Sequence, residues 1–278
     1  MSRIAARFEE LRRSNRAAFV PFITAGDPDV ETSFAILEKL PGIGADLIEL
    51  GVPFSDPMAD GPAVQASSQR ALKSGMTLTK VLDMVRRFRK ADAKTPIVLM
   101  GYYNPIHHYG TARFAKDAAM AGVDGLITVD LPPEEDEVLR SPAGAQGIDI
   151  VRLATPTTDA KRLATIVAGA SGFLYYVSVA GVTGTKSFSE SDVRAAVARL
   201  KAGTQIPCCV GFGIKTPEQA REIARFADGA VVGSAIVSLL ADGAAKGAKR
   251  EAQIGDVVNF CKSLADSVHA ARVVPVLG

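Results

Sequence analysis

Two carboxylates stand near each other in the segment IELGVPFSDPMADGP, which covers residues 48–62. Glu49 interrupts an apolar, strand-like run, and Asp60 follows eleven residues later in a proline-containing loop. A carboxyl group that faces the inside of a sheet loses water, and its pKa rises toward values that suit acid–base chemistry. A second carboxylate on the loop can then take the complementary role. Each residue also has a simpler interpretation, because Glu49 could face a helix cation and Asp60 could be a turn residue.

Two glycine-containing turns indicate a phosphate site. The segment GFGIKTPEQA covers residues 211–220 and GSA covers residues 233–235, and a helical pattern begins just beyond each turn. Glycine lets backbone N–H groups approach a ligand closely, and the N-terminus of a helix favours an anion. Plain turn glycines are the alternative, but two similar turns in successive positions favour phosphate binding.

A third candidate is the polar, glycine-containing segment SVAGVTGTKSFSE at residues 178–190. Such a loop could close over a substrate as a lid, or it could be an ordinary surface loop. We expect loops 53–62 and 179–190 to become ordered only around a ligand, because both are polar and contain several glycines or prolines.

Other chemistries fit the sequence less well. A Schiff-base enzyme needs a lysine at a strand end, whereas Lys186 and Lys215 lie beyond the strand-like segments. His107 and His108 are adjacent and His269 is near the C-terminus, so the histidines are poorly spaced for a metal. No GxSxG motif marks a serine nucleophile. What remains is carboxylate chemistry on a phosphorylated small molecule, without a metal or a covalent intermediate.

Short apolar segments predict the strands that must position these groups. They are almost continuously apolar, which is typical of strands buried in a parallel sheet. The segments are residues 18–24, 46–51, 96–101, 124–129, 148–154, 173–179, 206–211 and 229–233. Helical patterns lie between them, among others at residues 29–40, 77–90, 189–200 and 216–227. An amphipathic helix precedes the first strand, with Ile4, Phe8 and Leu11 on one face.

A strand followed by a helix, repeated eight times, predicts a single (β/α)8 barrel of the TIM type with an extra N-terminal helix. An open doubly wound sheet is the alternative, but its first turn usually carries GxGxxG, and this chain has TAGDPD there. No linker divides residues 1–278, so we expect one domain with a core of about residues 15–268 and a short C-terminal tail. In such a barrel the candidate segments fall where active sites lie, at the C-terminal ends of the strands.

The composition is that of an ordinary globular chain, with 47% hydrophobic residues, 22% charged residues and a formal net charge of +2. No basic run predicts nucleic-acid binding, and no apolar run approaches the roughly 20 residues of a membrane span. Cys208, Cys209 and Cys261 are an odd number of cysteines without a CxxC motif. This pattern favours reduced thiols in the core of a cytoplasmic protein.

Six segments, taken in order, resemble the tryptophan synthase alpha chain family over about residues 4–265: IELGVPFSDPMADGPAVQ, MGYYNPI, VDLPPEE, LATPTT, VAGVTGT and GFGIKTPEQA. The first segment is very specific to that family, whereas the GFGI-type loop is shared with other barrels. The resemblance implies a lyase of tryptophan biosynthesis. Its reaction would be the reversible retro-aldol cleavage of indole-3-glycerol phosphate to indole and glyceraldehyde 3-phosphate.

The resemblance also implies roles for individual residues. Glu49 would be the acid–base group on the glycerol hydroxyl and the indole ring carbon, and Asp60 would act at the indole nitrogen. Tyr175 would lie beside the glycerol chain, and Thr183 would be the lid threonine that contacts Asp60. The implied phosphate cradle consists of Gly184, Gly213, Gly233 and Ser234. The implied indole pocket consists of Phe22, Met100, Ile127, Val129, Phe212 and Val231.

Two positions depart from the family pattern. Met58 stands where the family loop often has leucine, which should change little. Arg152 falls in a strand that the family usually keeps apolar, and an inward-facing Arg152 would need an acid as its partner.

The resemblance implies a beta chain as partner, in a heterotetramer of two alpha and two beta chains. Pyridoxal phosphate is expected only in the beta chain, and no cofactor or metal is expected in this one. Two alternatives stay open. The chain could be a sugar-phosphate isomerase or epimerase on the same barrel, or a catalytically idle chain that binds and activates a beta chain.

Overall fold

Parallel strands form the centre of the molecule. The computed structural model describes residues 2–177, 190–211 and 213–272. Within these residues one sheet has nine strands in the order β5-β4-β3-β2-β1-β9-β8-β7-β6. The strands are β1 (Ala18–Thr24), β2 (Ile48–Gly51), β3 (Ile97–Gly101), β4 (Gly125–Thr128), β5 (Asp149–Ile150), β6 (Arg152–Ala154), β7 (Leu174–Val177), β8 (Cys208–Gly211) and β9 (Gly229–Val232). Because β5 and β6 follow each other in the chain, the two edges of the sheet meet and the barrel is nearly closed.

Helices cover the outside of the barrel and confirm the predicted TIM-type (β/α)8 fold with an extra N-terminal helix. Several begin at a residue whose side chain accepts a hydrogen bond from the first turn, such as Asp29, Thr77 and Thr216. In the described residues the α-helices are α1 (Arg3–Arg13), α2 (Val30–Lys39), α3 (Pro62–Lys73), α4 (Leu78–Arg89), α5 (Tyr103–Tyr109), α6 (Thr111–Ala121), α7 (Glu137–Ala145), α8 (Ala160–Val167), α9 (Glu190–Ala202), α10 (Pro217–Ala224), α11 (Ser234–Ala245) and α12 (Arg250–His269).

The fifth predicted strand differs from expectation, because Val151 divides it into β5 and β6. The backbone N–H of Val151 still donates to the carbonyl of Leu126 on β4, at 2.9 Å. From Arg152 onward the chain pairs with β7 instead, where Arg152 stands opposite Leu174. The gap between the C-terminal half of β4 and strand β6 is called the seam below. The other predicted strands agree with the structure to within two residues wherever both ends are described.

Helix α1 closes the N-terminal end of the barrel. Its apolar residues Ile4, Phe8 and Leu11 pack with inward-facing residues that directly precede strands, such as Leu47 before β2 and Phe173 before β7. The ring centroids of Phe8 and Phe173 are 5.9 Å apart. The opposite end, where the strands finish, is therefore the end left for a functional site.

We expect Phe8→Ala to lower the free energy of unfolding by about 3 kcal/mol, because it leaves a cavity under the barrel. Phe8 is 7% exposed, whereas Met120 on α6 is 63% exposed, so Met120→Ala is a control that should change stability by less than about 0.5 kcal/mol. Urea unfolding measures both variants. Equal effects of the two substitutions would contradict the role of α1.

Candidate active site

Glu49 faces the barrel interior as the second residue of β2. Leu47 belongs to the interior cluster, whereas Ile48 and Leu50 pack against the surrounding helices, so alternation places Glu49 inside. Glu49 is 2% exposed. Its Oε2 atom is buried and has no hydrogen-bond partner among the described residues. Burial, and secondarily the charge of Asp60, raise the pKa of Glu49 to about 8.

Asp60 lies at the end of the loop between β2 and α3 and is 6% exposed. Its charge acts on both Glu49 and Tyr175, so the structure brings the two carboxylates of the sequence motif into one site. Burial raises the pKa of Asp60 to about 6, and a hydrogen bond from Tyr102 opposes this shift. The two carboxyl groups therefore have different proton affinities because their immediate surroundings differ: Asp60 has a hydrogen-bond donor in Tyr102, whereas Oε2 of Glu49 has none among the described residues.

Tyr102 is a site residue that the sequence analysis missed. Its hydroxyl donates to Oδ2 of Asp60 at 3.1 Å and accepts from the backbone N–H of Ala59 at 2.9 Å. Its ring lies against Phe54, with centroids 5.2 Å apart. One side chain thus contacts both ends of the loop that carries Asp60. The available signal was its position in MGYYNPI, directly after β3, at the end of the barrel where active sites lie.

Helix α3 fixes the other side of the Asp60 loop, since it begins two residues after Asp60. The hydroxyls of Ser67 on α3 and Thr24 on β1 are 2.6 Å apart. Arg70 donates to both carboxylate oxygens of Asp27, at 2.6 and 2.8 Å. Such a bidentate pair fixes orientation as well as distance. Contacts from the middle and the last turn of α3 therefore hold this helix against the C-terminal end of β1 and the residues that follow it.

Tyr175 lies on β7 beside Glu49. It is 8% exposed, and burial together with the charge of Glu49 raises the pKa of Tyr175 well above its usual value. Its hydroxyl passes over Gly211, where an added Cβ would stand 2.1 Å from the hydroxyl oxygen. Glycine at this position is what makes room for the tyrosine. Tyr175 is thus a neutral hydroxyl in the interior of the site.

The predicted phosphate residues that the structure describes lie along two neighbouring strands. Strands β8 and β9 are paired, so Gly213 and Gly233 follow adjacent strand ends. Gly213 has a φ of +86°, which suits glycine. Gly233 is the N-cap of α11, and Ser234 is the first residue of that helix. The N-terminus of α11 is therefore available to an anion at this edge of the barrel.

The predicted indole residues that the structure describes line the barrel interior. Phe22 stands opposite Glu49 in the β1–β2 register, and Met100 stands opposite Ile127 in the β3–β4 register. Met100, Ile127, Val129 and Val231 belong to the interior cluster. These side chains form an apolar wall around the two carboxylates.

Three predicted site residues, Thr183, Gly184 and Phe212, lie outside the described residues, and so do most of loop 179–190 and the end of the C-terminal tail. Loop 53–62 is described, and Met58 on it is 76% exposed. Exposure of this kind explains why methionine in place of leucine should matter little there.

Arg152 faces away from the barrel interior. Its guanidinium pairs with the carboxylate of Asp136 at 2.5 Å and donates to the carbonyls of Thr165 and Ile166 at 3.1 and 2.8 Å. Arg152 is 8% exposed, so its charge is buried but fully compensated. The interior wall at this strand is formed by the neighbouring Leu153 instead.

The remaining sequence predictions concern metal, thiol and membrane chemistry. In the part of the chain that the structure describes, no group of three or more His, Cys, Asp or Glu residues could hold a metal ion. Cys208, Cys209 and Cys261 are buried free thiols, as predicted. Among the described helices, none has the length and apolar character needed to cross a membrane.

Comparison with known proteins decides the family. A family model described as tryptophan synthase alpha chain matches residues 8–269. The chain belongs to this family. The resemblance stated from the sequence is confirmed, and so is the activity: the chain is a lyase of tryptophan biosynthesis that cleaves indole-3-glycerol phosphate.

Solved structures agree with this assignment. The chain is similar to tryptophan synthase subunit alpha from Legionella pneumophila str. Paris, with 39% identity, a TM-score of 0.89, and coverage of 96% of this chain and 98% of that one. The alpha chain from Legionella pneumophila subsp. pneumophila is 38% identical, with a TM-score of 0.90 and coverage of 99% and 100%. Tryptophan synthase from M. tuberculosis is 34% identical, with a TM-score of 0.85 and coverage of 97% and 99%.

We expect Tyr102→Phe to destabilise the protein more at pH 8 than at pH 4. The folded-state pKa of Asp60, about 6, lies above its unfolded value of about 3.9, so stability is lost as the pH rises through 6. Removal of the Tyr102 hydroxyl raises the pKa of Asp60 further, because that hydroxyl favours the ionised form. The extra loss at pH 8 should be about 1 kcal/mol by urea unfolding.

The control is Tyr103→Phe, because the Tyr103 ring lies beside His107 and packs on the outer hydrophobic cluster, and its hydroxyl is not a partner of Asp60. Its effect on the free energy of unfolding should be the same at pH 4 and pH 8. An equal cost of Tyr102→Phe at the two pH values would show that Tyr102 does not stabilise the charge of Asp60.

Proposed function

We propose that Glu49 and Asp60 divide the acid–base work of the cleavage between them. The observation that supports this division is the order of their pKa values, about 8 for Glu49 and about 6 for Asp60. Between these values Glu49 carries a proton while Asp60 is an anion. Two carboxyl groups whose environments separate their pKa values are the usual arrangement for a paired acid and base.

The first step is proton transfer from Glu49 to carbon 3 of the indole ring. The ring nitrogen then carries positive charge, which anionic Asp60 stabilises. Such stabilisation is strong in a site without water, because the local dielectric constant is low. Alternatively, Asp60 holds the proton of the ring N–H during this step and returns it to the nitrogen as the carbon–carbon bond breaks, so that the product is neutral indole.

The second step breaks the carbon–carbon bond. Glu49, now ionised, accepts the proton of the glycerol hydroxyl on the carbon attached to the ring. The electron pair of that O–H bond forms the aldehyde carbonyl, and the pair of the broken carbon–carbon bond returns to the indole ring. The products are indole and glyceraldehyde 3-phosphate, and Glu49 is protonated again for the next turnover.

The other predicted residues bind and orient the substrate in this proposal. The phosphate lies at Gly184, Gly213, Gly233 and Ser234, of which the last two begin α11. The ring lies among the apolar residues Phe22, Met100, Ile127, Val129, Phe212 and Val231. Tyr175 stands beside the glycerol chain, and Thr183 contacts Asp60 when substrate is bound.

The family assignment also supports an assembly. We infer that the chain works with a tryptophan synthase beta chain, in a complex of two alpha and two beta chains, and that pyridoxal phosphate is bound only by the beta chain. The alpha chain would use its own side chains and no cofactor. We further infer a cytoplasmic location. We also infer a single domain over residues 1–278, which is supported by the packing of α12 (Arg250–His269) against α2, α10 and α11.

We expect Glu49→Gln to lower kcat for indole release at least about a hundredfold, the usual scale for loss of an acid–base group. Because the substrate contains the same ring as the product, release is followed by quantifying indole and glyceraldehyde 3-phosphate after they are separated from the substrate. In the unsubstituted protein kcat/KM should fall below about pH 6, where Asp60 is protonated, and above about pH 8, where Glu49 is ionised.

Asp60→Asn and Asp56→Asn form a matched pair for the same assay. Asp56 lies on the same loop, is exposed, and accepts from the hydroxyl of its neighbour Ser55, so its substitution should leave indole release by the isolated chain within about threefold. A loss below about threefold in Glu49→Gln would refute its role.

Addition of a beta chain should raise indole release by the unsubstituted chain, and no response would refute the proposed assembly.

A further inference from the structure

A cavity of about 550 Å³ lies beside the barrel interior and contains neither catalytic carboxylate. It is bounded by α7 and α8 on the outside and by the ends of β4 and β6 on the inside. Its lining includes Val129, Val151 and Leu153 together with Ile150 and Arg152. Alternation along the strand places the first three on the inner face of the sheet and the last two on the outer face. The cavity therefore passes through the seam.

Three side chains lie between this cavity and the barrel interior, and one of them, Val129, is also part of the indole wall. Val129, Val151 and Leu153 line the cavity and also pack in the interior cluster. Backbone hydrogen bonds do not close the barrel here, because β4 stops pairing with β5 at Ile150 and β6 pairs with β7. The partition between the two spaces thus consists of apolar side chains, which substitution can shorten.

The seam lies on the far side of the barrel from the phosphate residues. With β5 and β6 counted as one position, the barrel has eight positions, and β8 and β9 stand opposite β3 and β4. Of these, β4 borders the seam. A substrate with its phosphate at the ends of β8 and β9 extends across the barrel. In the proposed function Glu49 and Asp60 act on the five-membered part of the indole ring, so in this pose the benzene edge is the part of the substrate farthest from the phosphate and is directed toward β4 and the seam.

We propose that the seam cavity is a side pocket for substituents on the benzene edge of the indole ring, and that Leu153 and Val129 set the size limit for them. This inference rests on the proposed position of the ring among the interior residues. Shortening either side chain would join the cavity to the indole site. The enzyme would then cleave ring-substituted indole-3-glycerol phosphates that the unsubstituted protein handles poorly.

The chemistry of the cavity favours uncharged, apolar substituents. Its inner part is apolar, with Ile150, Ile166 and Leu139 beyond the partition. The arginines on its lining already have acidic partners: Arg152 and Arg140 contact Asp136, and Arg162 contacts Glu134. Since these charges are compensated, a methyl or ethyl group suits the space better than a carboxylate.

The test compares kcat/KM for indole-3-glycerol phosphate with that for its 5-, 6- and 7-methyl derivatives. In Leu153→Ala the ratio of methylated to unsubstituted substrate should rise about tenfold or more for at least one ring position, the usual worth of one methyl group in an apolar pocket. Met100→Ala is the control, because it removes the same number of non-hydrogen atoms from the interior wall but does not line the cavity.

Val129→Ala and Val231→Ala give a second matched pair, with identical chemistry and only Val129 on the cavity. If Leu153→Ala does not fold, the valine pair carries the test, with an expected gain for Val129→Ala alone. A rise of the ratio that is equal in the cavity and control variants would overturn the proposal, because it would reflect general loosening. An unchanged ratio in both cavity variants would also overturn it.

Equilibrium binding of indole and methylindoles separates this inference from the catalytic proposal. Binding needs no turnover, and the chain has no tryptophan to obscure indole fluorescence. The cavity variants should bind at least one methylindole about tenfold more tightly relative to indole than the unsubstituted chain does. If the roles of Glu49 and Asp60 were wrong, this preference would persist, and if the side pocket were wrong, it would be absent.

Discussion

The removal of water from one carboxyl group, that of Glu49, is the constraint on which the rest of the site depends. Asp and Glu have similar pKa values in water, so a paired acid and base must be separated by their surroundings. The barrel interior gives Oε2 of Glu49 no partner among the described residues, which favours the protonated form. Asp60 has a donor in Tyr102, which favours the anion. The site thus obtains its chemistry from unequal solvation and hydrogen bonding.

The raised pKa of Glu49 lowers the stability of the folded protein, and packing elsewhere must offset this loss. The folded-state pKa of Glu49 lies above its unfolded value, so Glu49 reduces stability as the pH rises toward 8. The packing of α1 under the barrel and the pair between Arg70 and Asp27 stabilise the same elements that carry the carboxylates. Strand β2 fixes one carboxylate rigidly. The loop that carries the other is held by Tyr102 and by its direct connection to α3, which begins two residues after Asp60.

Much of this could be predicted from the sequence, because the strands are continuous apolar runs and Glu49 shares its face with Leu47. The role of Tyr102 could not, since its hydroxyl reaches a residue on another loop and no local pattern records that contact. The break at Val151 was also missed. The break arises because the first half of the strand pairs with β4 and the second half with β7. An apolar run does not indicate which neighbouring strand each residue pairs with. The outward direction of Arg152 depended on Asp136, which is distant in sequence.

The most direct test of the account is the pKa of the Glu49 carboxyl in the unliganded protein, measured by ¹³C NMR titration. We expect a value near 8, and a lower value in Asp60→Asn, because that substitution removes the neighbouring charge. A value near 4.3, the ordinary pKa of glutamate, would contradict it. Glu49 would then be ionised at neutral pH and could not supply the proton that begins the cleavage.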